Sequence, residues 1–527
     1  MSEIQADVLV VGGGMAAGWA AISAAKAGAS VVIVDKGYMG TSGVTAPAGP
    51  NHWWVPPEPE LRKSAVARRL ETAFGLADPA WMERVIDVTW RSIPEMAPWY
   101  PFSGNGKGGT FQSGLRGPEY LRALRRYATS LGVRILDHHP VLELLARQDG
   151  SVGGAAGHDR LADKAWRARA GAVILATGGC AFRSGLLGSY NNTGDGYLMG
   201  VEAGAELSGM EFSISYSISP AWLSTRTLPY TGARYFDADG QPLAIPGWDK
   251  PRDYLCRLAD AFRYGPVYAD LHEAPAELAT VLREIQPATL AAFERRGVDL
   301  FRDRFEVKLF GEGTIRGVGG LRIVDTSCAT SVRGLFAVGD AATREHVAGA
   351  TSGGGAQNAA WALSSGVLAG AGAASAAQKQ KGRIEQTEKL KPLGGAGLRP
   401  TGTVQKIDRN AAVHTAQQEV LDLDKALWRN EVKLKKSTSV LDNTWTDIRR
   451  GLHADGLDAV AAREVAAMVA TARWCTSAAL ARKESRGMHV REDYPVMSPE
   501  YQHSIVTTGL DQITTRLDTY HNAQEVL

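Results

Sequence analysis

Cysteine is scarce in this chain of 527 residues, which contains four cysteines. They lie far apart and form no CxxC motif, so local spacing excludes an iron–sulfur or zinc site, and we expect no metal. Small buried side chains are the ordinary role of cysteines scattered in this way. The four residues are Cys180, Cys256, Cys328 and Cys475.

Three further absences narrow the class of protein. The net charge is +2 with no long basic run, which argues against a nucleic-acid-binding surface. No window reaches about 18 consecutive apolar residues, so we expect no transmembrane segment. Residues 1–7 lack the basic start and apolar stretch of a signal peptide, and we therefore expect a soluble cytoplasmic protein.

Glycine, in contrast, is abundant, with 59 residues that often fall in short clusters. Only glycine lets a backbone approach a ligand very closely, so these clusters predict turns against a ligand. Hydrophobic residues make up 44% of the chain and charged residues 22%, which suits a large core divided among two or three domains.

The strongest local pattern lies at the amino terminus. Residues 7–11 (DVLVV) predict a buried strand, and an alanine-rich helix over 15–27 precedes a second strand, 30–34. The turn GGGMAA, which begins at Gly12, fits the GxGxxG fingerprint with alanine at the third place, so the helix amino terminus faces a pyrophosphate. Asp35 ends the second strand, where a carboxylate can hold the ribose hydroxyls of an adenosine.

Two later segments favour flavin over nicotinamide. Residues 172–179 (AVILATGG) and 334–342 (GLFAVGDAA) predict returns to the first sheet, so the cofactor domain is discontinuous and reaches over a long ligand. Asp340, at a strand end, is placed to bind the ribityl chain or the pyrophosphate of FAD. The glycine-rich loop 349–358 opens a helix over 359–369, whose positive end can stabilise a reduced flavin. No second well-formed GxGxxG is present for NAD(P)H.

The predicted FAD contacts lie in the first turn, at the end of the second strand and in the later glycine-rich segments. They are Gly12, Gly14, Met15, Ala16, Asp35, Lys36, Thr41, Ser42, Gly43, Ala176, Thr177, Gly178, Asp195, Gly339, Asp340, Ser352 and Gly355.

Five segments in order cover nearly the whole chain: DVLVVGGGMAAGWAA, ATGG, NNTGDGYLMGVEAGAELSGMEF, GLFAVGDAA and ARKESRGMHVREDYP. Together they resemble the flavoprotein subunits of the fumarate reductase and succinate dehydrogenase family, which includes aspartate oxidase and the alpha subunit of adenylylsulfate reductase. The resemblance implies an α/β fold with a discontinuous Rossmann-like FAD domain, an inserted α+β capping domain and a C-terminal helical domain.

The chain divides along that plan. We expect the FAD-binding domain in two parts, residues 1–237 and 326–375, with the capping domain at 238–325 between them. Residues 376–400 are charged and then rich in Gly and Pro, which predicts a linker. Apolar residues at helical spacing indicate the helical domain over 401–527.

The residue at position 43 bears on how the flavin is held. In succinate dehydrogenase a histidine within an SHT-like stretch binds the flavin covalently, and Ser42-Gly43-Val44 stands at that place here. The resemblance therefore implies noncovalent FAD. The segment TSGVTAPAG (41–49) looks closer to the SGAVAQG pattern of the adenylylsulfate reductase alpha-subunit branch.

Arg252 is the candidate proton donor. Fumarate reductases use an arginine in a TRD or PRD context, and Pro251-Arg252-Asp253 matches that context. Because the pKa of arginine exceeds about 12, a dry cap and the neighbouring Asp253 would have to relay the proton. A surface helix start with Asp253 in its first turn explains the same residues, and both interpretations stay open.

Three groups that clamp a C4 dicarboxylate in the family do not carry over. The histidine after MEF falls at Tyr216, a second histidine falls at Ile315, and the carboxylate-binding arginine falls within 351–354, which has none. Without the clamp a C4 dicarboxylate has no reason to bind. We therefore predict an activity other than fumarate reduction, succinate oxidation or aspartate oxidation.

Other side chains are candidates to replace the clamp. Arg316 can present a guanidinium to an anion, His346 is placed to titrate near the flavin, and Tyr216 can donate its hydroxyl proton. Each also has an ordinary explanation, namely a salt bridge, a helix cap and a core aromatic residue. Tyr216 lies in a strand with alternating serines (209–220), which either is half exposed to water or forms one wall of the active site; its place after TGDGYLMGVEAGAEL favours the wall.

Two more pairs are candidate substrate contacts. Trp53 and Trp54 follow the loop expected along the flavin, and we predict that one covers the flavin or a flat substrate while the other packs. Arg486 and His489 lie where the helical domain returns to the cofactor domain, and they either brace that interface or contact the substrate.

These patterns predict an FAD-dependent reductase or dehydrogenase for a small anionic substrate other than a C4 dicarboxylate, with hydride transfer or adduct formation at flavin N5. The resemblance implies electron exchange with a separate ferredoxin-like iron–sulfur protein, and a homo- or hetero-oligomer. Two alternatives stay open: a soluble flavin oxidase that uses O2, and a noncatalytic flavin-bound interaction protein.

Overall fold

The computed structural model describes residues 2–104, 109–225, 228–247, 251–352, 354–380 and 388–518. Its strands are β1 (Ser2–Val11), β2 (Val31–Val34), β3 (Arg134–Leu136), β4 (Val141–Ala146), β5 (Val152–Asp159), β6 (Lys164–Leu175), β7 (Leu207–Ser208), β8 (Ser215–Pro220), β9 (Arg234–Phe236), β10 (Pro242–Leu243), β11 (Val267–Asp270), β12 (Phe305–Gly313), β13 (Gly320–Leu321), β14 (Leu335–Ala337), β15 (Lys391–Pro392), β16 (Ile505–Thr508) and β17 (Thr514–Leu517).

The helices connect these strands and form most of the C-terminal part. They are α1 (Met15–Lys26), α2 (Pro59–Ala73), α3 (Pro79–Ser92), α4 (Gly117–Ser130), α5 (Asp195–Glu202), α6 (Pro251–Ala261), α7 (Glu277–Ile285), α8 (Pro287–Glu294), α9 (Glu345–Ala348), α10 (Gly354–Gln378), α11 (Arg409–Val420), α12 (Leu423–Leu427), α13 (Glu431–Gly451) and α14 (Asp458–Ala481). Short 3-10 turns lie at Ile93–Met96, Met210–Phe212, Gly339–Ala341 and Pro499–Tyr501.

The first sheet has eight strands in the order β15-β4-β5-β6-β1-β2-β3, with β14 also paired to β6. β1 runs parallel to β2 and to β6, because α1 carries the chain back over one face of the sheet between β1 and β2. β14 pairs in parallel with β6, which confirms a discontinuous domain of the expected Rossmann-like class. The carboxyl ends of these parallel strands meet at one edge, where ligands bind in such sheets.

Helix α10 packs against α1 and β6 in the core of this layer. A Cβ atom on Gly370 would lie 2.3 Å from the carbonyl oxygen of Ala20, so glycine is needed where the two helices approach most closely. Among the described helices, α10 is the one with the length and composition of a membrane span, with a mean hydropathy of 1.2. Of that stretch, 56% is buried inside the protein, as in a core helix.

The second sheet has the order β10-β9-β11-β12-β8 and packs with α6, α7 and α8 around its own apolar core. It lies between the two parts of the first sheet in sequence and corresponds to the inserted α+β cap. The sheet begins with β8, so it includes residues before 238, the start expected for the cap. All six residues of β8 are buried, which shows that the half-exposed alternative for this strand is wrong.

The C-terminal part packs α11, α13 and α14 together, and β16 and β17 join β7 and β13 in a third sheet. This sheet ties residues after 500 to strands that lie before and after the second sheet. Within the predicted linker, 376–400, α10 continues to Gln378 and β15 pairs with β4 at the edge of the first sheet. Part of that segment is therefore regular structure.

Candidate active site

A cavity of about 330 Å³ opens at the carboxyl ends of β1, β2, β6 and β14, and we call it the glycine cavity. Fifteen of the 17 predicted FAD contacts line it. They are Gly12, Gly14, Met15, Ala16, Asp35, Lys36, Thr41, Ser42, Gly43, Ala176, Thr177, Gly178, Asp195, Gly339 and Asp340. Residues from distant parts of the chain therefore meet around one space.

The amino terminus of α1 points its first turn at the glycine cavity. Gly14 is the N-cap, no side chain caps the turn, and the turn contains no acidic residue. The first backbone N–H groups of a helix lack partners within the helix and carry partial positive charge. An uncapped turn that lines a cavity fits a pyrophosphate.

The glycines of this turn have different structural reasons. Gly12 has φ +119°, and a Cβ atom there would lie 2.3 Å from the carbonyl oxygen of Ala176. Gly14 has φ −79°, and the nearest atom to an added Cβ is the Cα of Gly43, at 3.9 Å. Gly12 is thus required by the packing of β1 against β6, whereas Gly14 keeps the cavity open.

Asp35 is buried at the end of β2 and lines the cavity. Burial raises the pKa of its carboxyl group, while hydrogen bonds from the Ser42 hydroxyl and the Gly37 amide oppose that rise. The loop that contains Ser42 is thereby held across the cavity from α1. This placement suits the predicted ribose contact of Asp35.

Lys36 follows Asp35, and its ammonium group is bound within the protein. It donates to Thr193 at 2.9 Å, to Asp195 at 2.7 Å and to Glu464 at 2.9 Å. Burial lowers its pKa, but the two carboxylates more than compensate, so the pKa is raised. All three ammonium donors are used, so the side chain ties α5 and α14 to the cavity edge rather than donating to a cofactor.

Asp340 lines the cavity from the 3-10 turn after β14. Its carboxylate accepts a hydrogen bond from Arg344 at 2.6 Å, and its carbonyl oxygen accepts one from Tyr197 at 2.6 Å. Arg344 also donates to the carbonyl oxygens of Gly317 and Ile315. The position of Asp340 is therefore fixed by Tyr197 and Arg344, which precede and follow the second sheet in the sequence.

Asn358, in the first turns of α10, was not predicted from the sequence. Both its amide oxygen and its amide nitrogen are buried, and neither has a hydrogen-bond partner among the described residues. It lies one helical turn before Ala362, which lines the glycine cavity. A buried amide without protein partners is satisfied by water or by a polar group of a ligand, so this residue fits the flavin expected beside α10.

A second cavity, of about 550 Å³, lies between the first sheet, the cap and the C-terminal part; we call it the arginine cavity. Helix α2 lines it with residues at helical spacing. Most of the other lining residues come from the start of β8, α6, the turn after β12, the segment around the start of α10, α12 and the loop after α14. The lining is Trp53, Ala65, Arg68, Arg69, Thr72, Ile214, Ser215, Tyr216, Leu255, Cys256, Arg316, Thr351, Ser352, Gly354, Gln357, Leu427, Gly487, Met488 and Val490.

Arg69 is buried, and its guanidinium holds the loop before α10. It donates to the carbonyl oxygens of Val347, Ala348 and Thr351 and to the hydroxyl of Thr72. No carboxylate neutralises it among the described residues, and burial lowers its pKa to about 10. Arg69 therefore remains a cation at neutral pH, and four of its five N–H donors are used within the protein.

The other two arginines differ in their surroundings. Arg316 is one quarter exposed, and its Nε atom lies 3.5 Å from a carboxylate oxygen of the fully buried Glu312. Arg68 is exposed on α2 and donates to the carbonyl oxygen of Ser64 at 3.4 Å, without an ion pair among the described residues. Three arginines line the cavity, and Glu312 is the one carboxylate beside them among the described residues. The net charge of the cavity wall is therefore positive.

Tyr216 and Trp53 line the arginine cavity, as does the predicted flavin contact Ser352. The Tyr216 hydroxyl donates to the carbonyl oxygen of Leu421 at 3.0 Å, and burial raises its pKa. The ring therefore forms part of the wall. Trp54 instead packs on Trp90, with ring centroids 3.9 Å apart. Trp53 is therefore part of the cavity wall, whereas Trp54 packs against other side chains.

Among the predicted residues whose side chains or backbone the structure describes, His346 and Gly355 line neither cavity. His346 is buried and stacks on Trp81 at 5.5 Å. Gly355 is exposed in the first turn of α10. Arg252 lies in the first turn of α6, but its side chain is outside what the structure describes.

Arg486 and His489 belong to a buried charged network beside the arginine cavity. Arg486 donates to Glu484 at 2.6 Å, and Glu484 also accepts from Arg482, which pairs with Glu211. His489 lies 2.7 Å from Arg429, and burial, with the nearby arginines, lowers its pKa well below the ordinary value. Buried charges need such partners, and the bracing alternative explains both positions.

The network positions the residues that do reach the cavity. The Gly487 backbone touches Ala350 so closely that an added Cβ would lie 2.2 Å from its carbonyl oxygen, and the Met488 amide donates to that oxygen. Met488, Arg68 and Arg69 were missed from the sequence, because their roles depend on packing between distant segments. The spacing of Ala65, Arg68 and Thr72 was the available signal.

A discontinuous dinucleotide-binding sheet, an inserted cap and a cavity between them define a flavin-dependent oxidoreductase. Residues 7–108 and 109–357 match the family model described as an FAD binding domain, and residues 414–521 match the model of the fumarate reductase flavoprotein C-terminus. The chain therefore belongs to the FAD-binding flavoprotein family of fumarate reductase, and its cofactor is FAD.

Two relatives illustrate the likeness in sequence. The flavoprotein family member of Methanothermobacter marburgensis that is named as a subunit of the CoM/CoB fumarate reductase is 26% identical, with 95% of this chain and 97% of the relative covered. An L-aspartate oxidase of Mycobacterium tuberculosis is 28% identical, with 96% of each covered.

Two solved structures show the same fold. A single-residue variant of the Escherichia coli quinol fumarate reductase FrdA has a TM-score of 0.79 at 21% identity, covering 98% of this chain and 97% of its own. Adenylylsulfate reductase from Archaeoglobus fulgidus has a TM-score of 0.75 at 19% identity, covering 98% and 96%.

Proposed function

We propose that this FAD-dependent oxidoreductase is a reductase or dehydrogenase for a small organic anion other than a C4 dicarboxylate. The observation that carries the proposal is the lining of the arginine cavity, which has three arginines and no carboxylate among the described residues. A cavity with one sign of charge concentrates ligands of the opposite sign. FAD, when bound, supplies two-electron transfer to or from such a ligand.

The chain's own residues have distinct parts in this proposal. Arg68 and Arg316 attract the anion, and Arg69 holds the loop 347–351 in place before α10. Tyr216 keeps its proton, since burial raises its pKa, and it contributes an aromatic wall. Arg252 remains the proposed proton donor from the cap.

The exclusion of C4 dicarboxylates rests on three positions. The relatives are named for fumarate and L-aspartate, which carry two carboxylates. Here Ile315 lies in an apolar cluster with Ala181 and Leu186, Tyr216 stands at the position of a family histidine, and residues 351–354 contain no arginine. The second carboxylate would therefore have no dedicated cation.

The electron partner belongs to the proposal as well. We propose a ferredoxin-like iron–sulfur protein, in a cytoplasmic hetero-oligomer, on the resemblance to family members that work as subunits. The methanogen relative is named as one subunit of its enzyme, which supports that assembly. The mycobacterial relative is named as an oxidase, which supports the second candidate, direct use of O2.

Reoxidation of the photoreduced, FAD-loaded protein separates the two candidates. We expect slow reoxidation in air and rapid reoxidation after addition of an oxidised ferredoxin. Reoxidation within seconds in air, with stoichiometric hydrogen peroxide, would instead establish the oxidase and contradict the proposed reductase. Free FAD at the same concentration serves as the control for oxygen reactivity without the protein.

A further inference from the structure

The arginine cavity also narrows the chemical class of the substrate, an inference that rests on the proposed function. We propose that the substrate is an organic monoanion with an apolar body, such as a carboxylate attached to an aromatic or branched hydrocarbon group. The charges available for direct contact suit one anionic group, and much of the remaining wall is apolar.

The number of available cations limits the number of anionic groups. Arg69 uses its hydrogen bonds on carbonyl and hydroxyl groups of the protein, so it contributes a positive field without a free fork for a carboxylate. Arg316 lies beside Glu312, which balances its charge. Arg68 is the lining cation without an ion pair among the described residues. A bidentate contact to one carboxylate is therefore the arrangement that this wall can offer.

The apolar part of the wall comes from four separate parts of the chain. Leu255 is contributed by α6 of the cap, Leu427 by α12, and Met488 and Val490 by the loop after α14. Ile214 adds to them from the segment before β8. A short dicarboxylate would leave these side chains against water, whereas an apolar substrate body would cover them and gain the free energy of burial.

Two polar groups of the lining residues beside this apolar wall already have hydrogen-bond partners within the protein. The Tyr216 hydroxyl is directed to the carbonyl oxygen of Leu421, so the cavity meets its ring. The backbone amide of Trp53 donates to Ala356 at 3.1 Å, which leaves the indole in the lining. Thr351, Ser352 and Gln357 belong to the side predicted to contact the flavin. On its other sides the body of the substrate would therefore meet mostly aromatic and aliphatic carbon, beside the small polar side chains of Thr72 and Ser215.

The test is a titration of the FAD-loaded protein with four compounds, followed by the flavin absorbance spectrum. The probes are 3-phenylpropanoate, propanoate, succinate and 3-phenylpropan-1-ol. We expect 3-phenylpropanoate to perturb the spectrum at a concentration about tenfold or more below that of propanoate, because the phenyl group is buried. We expect little effect of succinate and of the uncharged alcohol.

Two variants test which side chains contact the phenyl group and which contact the carboxylate. Leu427→Asn is expected to raise the 3-phenylpropanoate midpoint at least about fivefold and to leave the propanoate midpoint unchanged, whereas Arg68→Gln is expected to raise both. FAD content and thermal unfolding of each variant show that it is folded, and Lys63→Gln on the exposed side of α2 is the control.

The outcomes separate this inference from the proposed function. Equal midpoints for propanoate and 3-phenylpropanoate would overturn the apolar body and leave an anionic substrate. Tighter binding of succinate than of both monocarboxylates would overturn the proposed function itself. An alcohol as effective as 3-phenylpropanoate would overturn the requirement for an anion, and no response to any probe up to its solubility limit would overturn the inference.

Discussion

Gly12 and Gly14 stand two residues apart in the turn before α1. The surroundings of Gly12 make it important for folding, whereas those of Gly14 make it important for cofactor binding. A side chain at Gly12 would collide with the β6 backbone and would have to adopt φ +119°. A side chain at Gly14 would project toward Gly43, across the glycine cavity. The same substitution therefore has different consequences at the two positions.

We predict that Gly12→Ala lowers the melting temperature of the FAD-free protein by at least about 5 °C, because backbone strain and overlap destabilise the fold. Gly14→Ala should cost about 1 kcal/mol or less in folding, the usual effect at an N-cap, but weaken FAD binding about tenfold or more. Differential scanning fluorimetry and an FAD titration measure both. Normal FAD affinity in Gly14→Ala would contradict the placement of the pyrophosphate.

His52 gives a prediction about pH. Its side chain is buried, its Nδ1 lies 3.1 Å from the Ser113 carbonyl oxygen, and burial lowers its pKa to about 4 from an ordinary value near 6.5. The unfolded chain therefore binds a proton at higher pH than the folded protein does. The resulting stability is complete above pH about 6.5 and is lost as the pH falls toward 4, by about 2 kcal/mol at pH 5.

The variant His52→Gln cannot ionise, so the melting temperature should fall less between pH 7 and pH 5 than in the wild type. Other buried histidines, such as His489, are present in both proteins, and the comparison isolates position 52. If the melting temperature fell equally in the two proteins, the pKa of His52 would not be lower in the folded protein than in the unfolded chain.

At the scale of elements, the cap contacts the C-terminal part through the residues after α6. The guanidinium of Arg263 lies 4.2 Å from the ring centroid of Trp428 and donates to Asp424 at 2.8 Å. Both contacts are partly exposed, so each contributes about 1 kcal/mol or less. Their position matters more than their strength, because α6 and α12 each line the arginine cavity.

We predict that Arg263→Ala increases deuterium uptake in α6 and α12 without a large change in melting temperature. The matched control is Arg296→Ala, since Arg296 lies 4.4 Å over the ring of Trp222, a contact within the cap. Hydrogen exchange followed by mass spectrometry measures the uptake. If both variants exchange alike in α6 and α12, Arg263 does not hold the cap.

At the scale of the whole molecule, the sequence predicted the glycine cavity better than the arginine cavity. The turn before α1 and the strand ends at Asp35 and Asp340 are defined by short local patterns, and parallel pairing necessarily brings such strand ends together. The family resemblance added the cap, whose sheet is observed between the two parts of the first sheet.

The arginine cavity could not be predicted in the same way, because many distant parts of the chain form it. Arg68 lies on α2, a largely polar helix, and has no distinctive motif. Arg486 and His489 stand out in the sequence, but their charges are satisfied inside the protein, and the less conspicuous Met488 between them reaches the cavity. Side-chain direction in an irregular loop is set by packing rather than by local periodicity.

Noncovalent retention of FAD is a property of the whole molecule that can be measured directly. Gly43 offers no nucleophile at the position of the family histidine, so acid precipitation should leave all the flavin in the supernatant. Adding FAD back to the native FAD-free protein should then stabilise it by about 2.7 kcal/mol when free FAD is at 100 times its dissociation constant. Flavin that stays with the precipitated polypeptide would contradict noncovalent binding.

The central claim is that this chain keeps the FAD site of its family but not the site for a C4 dicarboxylate. The most direct measurement is oxidation of reduced methyl viologen by the FAD-loaded protein with and without fumarate, after confirming that the viologen reduces the bound flavin. The predicted result is rapid flavin reduction and no fumarate-dependent turnover. Sustained, saturable oxidation of viologen on addition of fumarate would contradict the account.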